Sequence, residues 1–304
     1  MTAGFVRLTP ELWVRQCRSM HYNTGVYVSG GEAALIDPGL FADEFDLIRR
    51  LLAERGAEPR VLVLTHSHWD HVLGPEQFPG VRVLAHERYP ALAAEFAEDI
   101  RWGLAHWERQ FGIQRERPFV PPVAQATVGA AGMLSVGDLT LRLRHVPGHA
   151  PDQLALYQAE AGVLCCGDYL SPVEIPMLSE GGSVDGYLAT LARLEPSVER
   201  ATWVVPGHGA PASEPAEIRA RFAHDQAYLA ELGERVARAV AAGRSVEETV
   251  AACADMEFRL KDKSQFDHRL NVESVYLELG GQADPKQVGW NKDWQNAAEQ
   301  WESG

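Results

Sequence analysis

The sequence predicts an α/β fold in which two sheets pack face to face between outer helices, followed by a helical C-terminal region. Three observations carry this expectation. Short apolar strands alternate with helical segments twice over, in two roughly matching halves. Loops bearing histidine or aspartate follow the ends of several of those strands. No strand signal returns after His208, where a long Ala/Glu/Arg-rich helical pattern begins.

Residues 1–40 read as short strands. Val6 to Val14, Gly25-Val26-Tyr27-Val28 and Ala33-Ala34-Leu35-Ile36 are β-rich runs, broken by Thr9-Pro10, Ser29-Gly30-Gly31 and Asp37-Pro38-Gly39. Tight turns between adjacent runs favour an antiparallel meander. Phe45, Ile48, Leu51 and Leu52 then fall at helical spacing over 42–56, with Gly56 as the stop. Val61-Leu62-Val63-Leu64 is a buried strand and Val81-Arg82-Val83-Leu84 another, so this βαβ stretch calls for a sheet covered by helices. A long helical pattern over 87–112 carries Trp102, Trp107 and Phe111; such a stripe either packs on the sheet or walls a pocket.

After a proline-broken loop from Pro118 to Pro122, strands resume from Met133, at 139–143, 154–157 and 163–166. A helix near 188–194 and a last strand, Trp203-Val204-Val205, complete a first region, 1–212. The second region, 213–304, holds an amphipathic helix over 213–243 and shorter helices near 245–255 and 266–279. Its tail carries Trp290, Trp294 and Trp301, available to dock on the body or on a second copy as a homodimer.

Composition narrows the function. At 304 residues the chain can bury one large core, or a core with a smaller appended unit. Its 28 basic and 42 acidic residues leave a formal charge of −14, so no nucleic-acid footprint is visible and an anionic membrane surface is disfavoured. A small-molecule substrate is the expected partner. Cys17, Cys165, Cys166 and Cys253 form no CxxC pair and no regular framework, which fits a reducing setting. Met1 to Arg7 shows no apolar core behind a basic start, and no apolar run of about 18 residues follows. The expected location is cytoplasmic.

The chemistry concentrates in Thr65-His66-Ser67-His68-Trp69-Asp70-His71, just after the 61–64 strand. Alternation in an extended segment turns His66 and His68 to one side, and the chain must then bend for Asp70 and His71 to face the same point. A polar tip of imidazoles and a carboxylate on a buried strand is what a metal site at a strand's carboxyl end requires. The bland alternative is a turn whose histidines hydrogen-bond locally. Three further positions weigh against it: His149 in Pro147-Gly148-His149, Asp168 in Cys166-Gly167-Asp168 and His208 in Pro206-Gly207-His208. Each sits at or just past a strand end, beside a glycine that permits a sharp turn. One such residue is usually a cap or turn; three beside an existing metal nucleus point to further ligands.

With these residues in place the chain resembles the metallo-β-lactamase superfamily of dinuclear hydrolases, over residues 1 to about 215. The resemblance implies a four-layer αββα sandwich with metals at one edge of the two sheets. It implies that His66, His68 and His149 hold one ion, that Asp70, His71 and His208 hold another, and that Asp168 bridges both. Asp37 would orient the cluster loop. Ligands of this kind suit Zn²⁺ first, with Fe or Mn also fitting. Two divalent ions against Asp70, Asp168 and one hydroxide leave the site electropositive. A water bound there has its pKa lowered to about 7, so hydrolysis through a metal-bound hydroxide needs no Ser or Cys nucleophile. Asp70 and Asp168, with that hydroxide, are the catalytic candidates.

Departures from related patterns shape the substrate expectation. Zinc β-lactamases of the best-known type carry Cys where Asp168 stands, and flavodiiron relatives carry Glu where His68 stands. Acyl-homoserine lactonases place Tyr three residues past the bridging Asp, where this chain has Ser171, with Tyr169 directly after Asp168. The plan most resembles glyoxalase II-like thioesterases and the related quorum-signal response thioesterase, so a small thioester or ester is the expected substrate, as in a hydroxyacylglutathione hydrolase. Lactonase or phosphodiesterase action, a mononuclear iron persulfide dioxygenase and a signalling protein with incidental hydrolysis are the alternatives. Candidate substrate-lining residues are Tyr22 and Asn23 in an early loop, Tyr169, Ser171, the basic group Arg259, Lys261 and Lys263, and His268 with Asn271 on one helix face. The basic group reads more readily as a solvated helix start.

Overall fold

The computed structural model describes residues 4–178, 181–283 and 288. The first sheet runs in chain order through β1 (Val6–Arg7), β2 (Leu12–Gln16), β3 (Asn23–Ser29), β4 (Glu32–Ile36), β5 (Glu58–Val63), β6 (Arg82–His86) and β7 (Ala126–Val128). Tight turns keep β1 to β4 antiparallel, whereas β4 to β7 pair in parallel. Parallel neighbours need a crossover, and α1 (Ala42–Arg55) provides it between β4 and β5. Asp43 and Glu44 occupy its first turn, and Gly56 closes it in the left-handed conformation at φ 58°.

After β6, α2 (Tyr89–Glu95) and α3 (Ala97–Gln110) replace the single helix expected over 87–112. Helical hydrogen bonds reach Phe96 from both sides (Phe96 N to Leu92 O, Ile100 N to Phe96 O), so the pair is one bent run. The short strand β7 gave no apolar signal and was unforeseen.

The second sheet has the order β12-β11-β10-β9-β8, from β8 (Ala131–Val136), β9 (Leu139–His145), β10 (Leu154–Gln158), β11 (Val163–Cys165) and β12 (Trp203–Val205). Its strands pair antiparallel except β11 with β12, which are parallel and joined through α4 (Val184–Val198). Ser183 caps α4 by accepting the Gly186 N–H at 3.1 Å. Three helices follow: α5 (Pro215–Ala241), α6 (Val246–Cys253) and α7 (Gln265–Glu278).

Strand alternation sorts the core into three apolar layers, which makes the fold a four-layer αββα sandwich. Val61 and Val63 of β5 face Leu141, Leu154, Leu156 and Cys165 between the sheets. Leu62 and Leu64 turn the other way, onto Ile48, Leu51, Ile100 and Trp107 of the first helical layer. Ala155, Leu164 and Val204 face outward from the second sheet onto Leu191 of α4, Leu229 and Leu232 of α5 and Val272 of α7. The C-terminal helices therefore share a core with the second sheet. Trp290, Trp294 and Trp301, on which the homodimer expectation rests, lie outside the described residues. Among the described residues no helix is long and apolar enough to cross a membrane.

Leu232 is fully buried in that shared layer. Replacing it by Ala should cost about 2–5 kcal/mol and lower the midpoint of a single denaturant transition. A separate early transition, with the remainder unchanged, would contradict the shared core.

Candidate metal centre

The site forms where strands of both sheets end. β4 and β5 run in parallel, so Asp37 and the 66–71 turn emerge side by side, tied by the Asp37 N–H to Val63 O bond at 3.0 Å. In the second sheet β9, β11 and β12 run the same way, because β10 between them is antiparallel. Their carboxyl ends thus deliver His149, Asp168 and His208 to one edge. Backbone bonds join the two edges, Leu154 N to Thr65 O at 2.8 Å and Asn23 N to Gly207 O at 2.7 Å, while Gly207 N to Gly167 O at 2.7 Å ties the His208 loop to the Asp168 loop within the second sheet. Gly207 is required for close approach, since a Cβ there would lie 1.9 Å from Asp168 Oδ1. The bend demanded by the sequence is present: His68 is extended, and Trp69–His71 make a 3₁₀ turn.

All seven expected side chains converge, with donor atoms in two groups. His66, His68, His149 and Asp168 form one, and Asp70, His71 and His208 the other, each with donor atoms within 4.8 Å of one another. His149 Nε2 lies 3.3 Å from His66 Nε2 and 3.0 Å from His68 Nδ1. His208 Nε2 and His71 Nε2 lie 3.1 and 3.4 Å from Asp70 Oδ2. Asp168 Oδ2 sits between the groups, 3.6 Å from His66 Nε2, 3.3 Å from His149 Nε2, 3.4 Å from His71 Nε2 and 3.6 Å from His208 Nε2.

Supporting contacts decide which nitrogen four of the five imidazoles present. Asp37, held at φ 42°, accepts from Thr65 N at 2.8 Å and Thr65 Oγ1 at 2.6 Å, and its Oδ2 accepts from His71 Nδ1 at 2.9 Å. Because the Thr65 hydroxyl is spent on Asp37, it accepts from His66 Nδ1 at 3.0 Å, which leaves a lone pair on His66 Nε2. Met177 O and Met20 O accept from the Nδ1 atoms of His149 (3.1 Å) and His208 (2.9 Å). Imidazoles oriented in this way are the usual partners of a metal ion. Fully buried Asp152 accepts from Ser67 N (3.4 Å) and Ser67 Oγ (3.2 Å), tying the cluster turn to the His149 loop.

Charge points the same way. Burial, reinforced by neighbouring imidazoles, pushes His66 well below its ordinary pKa and His68 down to about 3, so both are neutral. Burial opposes ionisation of Asp70 and Asp168, but His71 and His208 hold both carboxyls below their usual range. Burial likewise disfavours charge on His71 and His208. The carboxylates override it: Asp70, Asp168 and Asp37 raise His71, while Glu174, Asp168 and Asp70 push His208 up to about 10. The cluster therefore binds positive charge, as protons on His71 and His208 when nothing else supplies it.

These residues fit metal ions. A tetrahedral ion with bonds of about 2.0 Å keeps its donors about 3.3 Å apart, close to the separations here. His66 Nε2 and His149 Nε2 point lone pairs at each other across 3.3 Å, a repulsion that a cation between them removes. Among the described residues, Asp168 Oδ1 and His71 Nε2 are buried without a hydrogen-bond partner, a cost of about 1–3 kcal/mol each when uncompensated.

The candidate substrate residues fare differently. Tyr22 is buried, its ring 5.1 Å from His71 and 5.6 Å from His208, and its hydroxyl donates to Asp37 O at 2.8 Å. Asn23 Nδ2 donates to Pro206 O and Gly209 O at 2.9 and 2.6 Å, bracketing His208. Tyr169 is fully buried, its hydroxyl between the Val146 and Pro147 carbonyls and accepting from His149 N–H. Ser171 Oγ accepts from Val173 N, and its carbonyl accepts from Arg259. All four hold the ligand loops instead of offering groups to a substrate. His268 offers nothing to a substrate: both ring nitrogens are engaged in the helical core, with Tyr228 Oη and Cys253 O at 3.0 Å. Arg259 turns inward towards Asp225, Lys261 pairs with Glu257 at 2.8 Å and Lys263 is exposed.

α3 both packs and borders the site, since a Cβ on Gly103 would lie 2.6 Å from the Trp69 ring. Glu174 was missed. Its carboxyl is 3.5 Å from His208 Nδ1, with a donor atom within 4.8 Å of those of Asp168 and His208. Burial raises it to about 8, with Asp168 and Asp70 adding to the rise against the pull of His208. A lone Glu in a proline-flanked loop carries no signal that could have found it.

A family model described as the metallo-beta-lactamase superfamily matches residues 20–208. An acyl-coenzyme A thioesterase of Gallus gallus is 29% identical over 160 residues, 50% of this chain and 57% of that protein. A hydroxyacylglutathione hydrolase of Anaeromyxobacter dehalogenans (strain 2CP-C) is 31% identical over 192 residues, 61% of this chain and 60% of that protein. The match thus spans under two thirds of the length of either relative. Among solved structures, a metallo-beta-lactamase family protein from Thermus thermophilus superposes with a TM-score of 0.65 at 24% identity, covering 92% of this chain and 98% of that one. An inverting sec-alkylsulfatase from Pseudomonas sp. gives 0.73 at 20% identity, covering 93% and 51%. At these identities the solved structures share the fold.

Zinc added to metal-free protein at pH 7 should displace about two protons from His71 and His208, read as buffer-dependent heats in calorimetry. Because neighbouring carboxylates push His208 up to about 10, apparent affinity should rise with pH towards that value. An affinity flat between pH 7 and 9 would show both imidazoles already neutral.

Proposed function

Since this chain belongs to the metallo-beta-lactamase superfamily, we propose that it is a dinuclear metal-dependent hydrolase of small thioesters or esters, of the hydroxyacylglutathione hydrolase type. One observation carries the two-ion reading: a single oxygen, Asp168 Oδ2, lies 3.3–3.6 Å from imidazole nitrogens of both donor groups. His66, His68 and His149 would hold one ion and Asp70, His71 and His208 the other, with Asp168 common to both. Zn²⁺ suits these ligands best, with Fe or Mn also fitting. Ions held there would supply Lewis-acid polarisation of a carbonyl and a water of lowered pKa at neutral pH.

The chain's own residues prepare that chemistry. Asp37 fixes the His71 tautomer through its 2.9 Å bond, and the Met177 and Met20 carbonyls do the same for His149 and His208. Asp70 and Asp168 stay ionised beside the imidazoles and set the charge of the centre. A single-ion oxygenase would leave Asp70, His71 and His208 without a role, so the two-ion reading is preferred. The thioester choice draws support from the activities named for the two curated relatives. Four buried free cysteines fit a cytoplasmic setting.

Purified protein should carry two ions per chain and hydrolyse members of a panel of acyl-glutathione and acyl-coenzyme A thioesters. Asp168→Ala should lose several kcal/mol of transition-state stabilisation, about a thousandfold in kcat/KM. One iron per chain with oxygen uptake on a persulfide, or two ions with no turnover on thioesters and esters, would overturn the proposal.

A further inference from the structure

We propose that Asn271, on α7, is a positioning residue for the His66/His68/His149 group, so that the C-terminal helical region helps to build the metal centre. The inference rests on the two-ion reading above.

Asn271 is fully buried, 122 positions along the chain from His149 and on a different layer of the sandwich. Its side-chain amide uses both ends on one short loop. Oδ1 accepts from Leu178 N at 2.8 Å, and Nδ2 donates to Pro176 O at 2.6 Å. Those are the two neighbours of Met177, whose carbonyl accepts from His149 Nδ1 at 3.1 Å. The amide thus grips the chain on either side of the acceptor that aims His149 Nε2. Only a group with donor and acceptor at this spacing matches a carbonyl and an N–H two residues apart; Asp lacks the donor and Ala lacks both.

The same helical region grips the other end of this segment. Leu170, two residues past Asp168, adopts φ 60°, which is unfavourable for a branched residue. Asp225 Oδ2 of α5 accepts its N–H at 3.2 Å, and Arg221 Nη1 donates to its carbonyl at 3.3 Å. Residues 168–178 therefore run from the shared carboxylate to the acceptor of His149 with both ends fastened to α5 and α7. Loss of a contact that orients a ligand imidazole typically costs 10–100-fold in metal affinity.

A plainer account is that Asn271 only satisfies the helical core, and its third contact provides the control. Nδ2 also donates to Tyr228 Oη at 2.9 Å. Tyr228→Phe removes that bond and spares the two to 176 and 178. The test compares the full chain with Asn271→Ala, Asn271→Asp and Tyr228→Phe. It reads thermal midpoints, stepwise Zn²⁺ affinities against a chelator, and solvent exchange of the His149 Nδ1 proton by NMR of the Co²⁺-loaded protein. Both Asn271 variants should weaken one of the two ions about tenfold or more and speed exchange of the His149 proton. Tyr228→Phe should lower the midpoint with both affinities and that exchange unchanged. Asn271→Asp keeps the Leu178 acceptor and serves if Asn271→Ala does not fold. Asn271 variants that lose stability but bind both ions as the parent does would overturn the inference and leave the two-ion reading standing. So would a Tyr228→Phe chain that loses the same ion to the same extent. A parent chain that binds no ion would overturn both.

Discussion

A carboxylate buried among imidazoles sets the terms for this molecule. Asp168 Oδ2 has four histidine nitrogens within 3.6 Å, and its other oxygen is buried without a hydrogen-bond partner among the described residues. Asp70 and Asp37 add two more carboxylates in the same volume. Negative charge at this density is tolerable away from water only with positive charge at its centre. Protons on His71 and His208 are one source, and divalent ions are a better one, because they also satisfy lone pairs that face each other. The features around the centre serve to hold this cluster in one arrangement.

The sandwich meets that demand through strand direction. β4 and β5 end side by side in one sheet, and β9, β11 and β12 end together in the other, so loops distant in sequence open at a common edge. The loop beyond each strand is then locked from behind. Asp37 accepts a left-handed backbone at φ 42° to reach Thr65 and His71. Ser67 is fastened to Asp152, and Asn23 to the backbone on both sides of His208. α5 and α7 fasten the segment after Asp168. The apolar layers supply rigidity; these polar contacts convert it into the aim of individual nitrogens.

Much of this was legible in the sequence because its signals are local. The 61–64 run followed by His66, His68, Asp70 and His71 is a strand and a turn within eleven residues. Gly148, Gly167 and Gly207 beside His149, Asp168 and His208 mark strand-end turns. The continuous apolar run at 61–64 and the helical spacing at 45–52 were strong enough to place those elements. The failures share a physical cause. Tyr22 and Asn23 in an early loop and Tyr169 beside Asp168 looked substrate-facing, but their polar groups are consumed by backbone atoms elsewhere in the chain. His268 and Asn271 share a helix face, yet one is held in the helical core and the other reaches residues 176 and 178. Glu174, Asp152 and the break at Phe96 depend on contacts or chain geometry that no periodicity encodes. Sequence pattern reports which residues are available for chemistry; long-range hydrogen bonds decide which are already spent.

Anomalous diffraction at the metal absorption edge, from crystals of protein expressed without chelators, tests the central claim most directly. The account expects two peaks in each chain. One should lie among His66, His68 and His149, the other among Asp70, His71 and His208, with Asp168 between them. A single peak, or peaks away from Asp168, would contradict it.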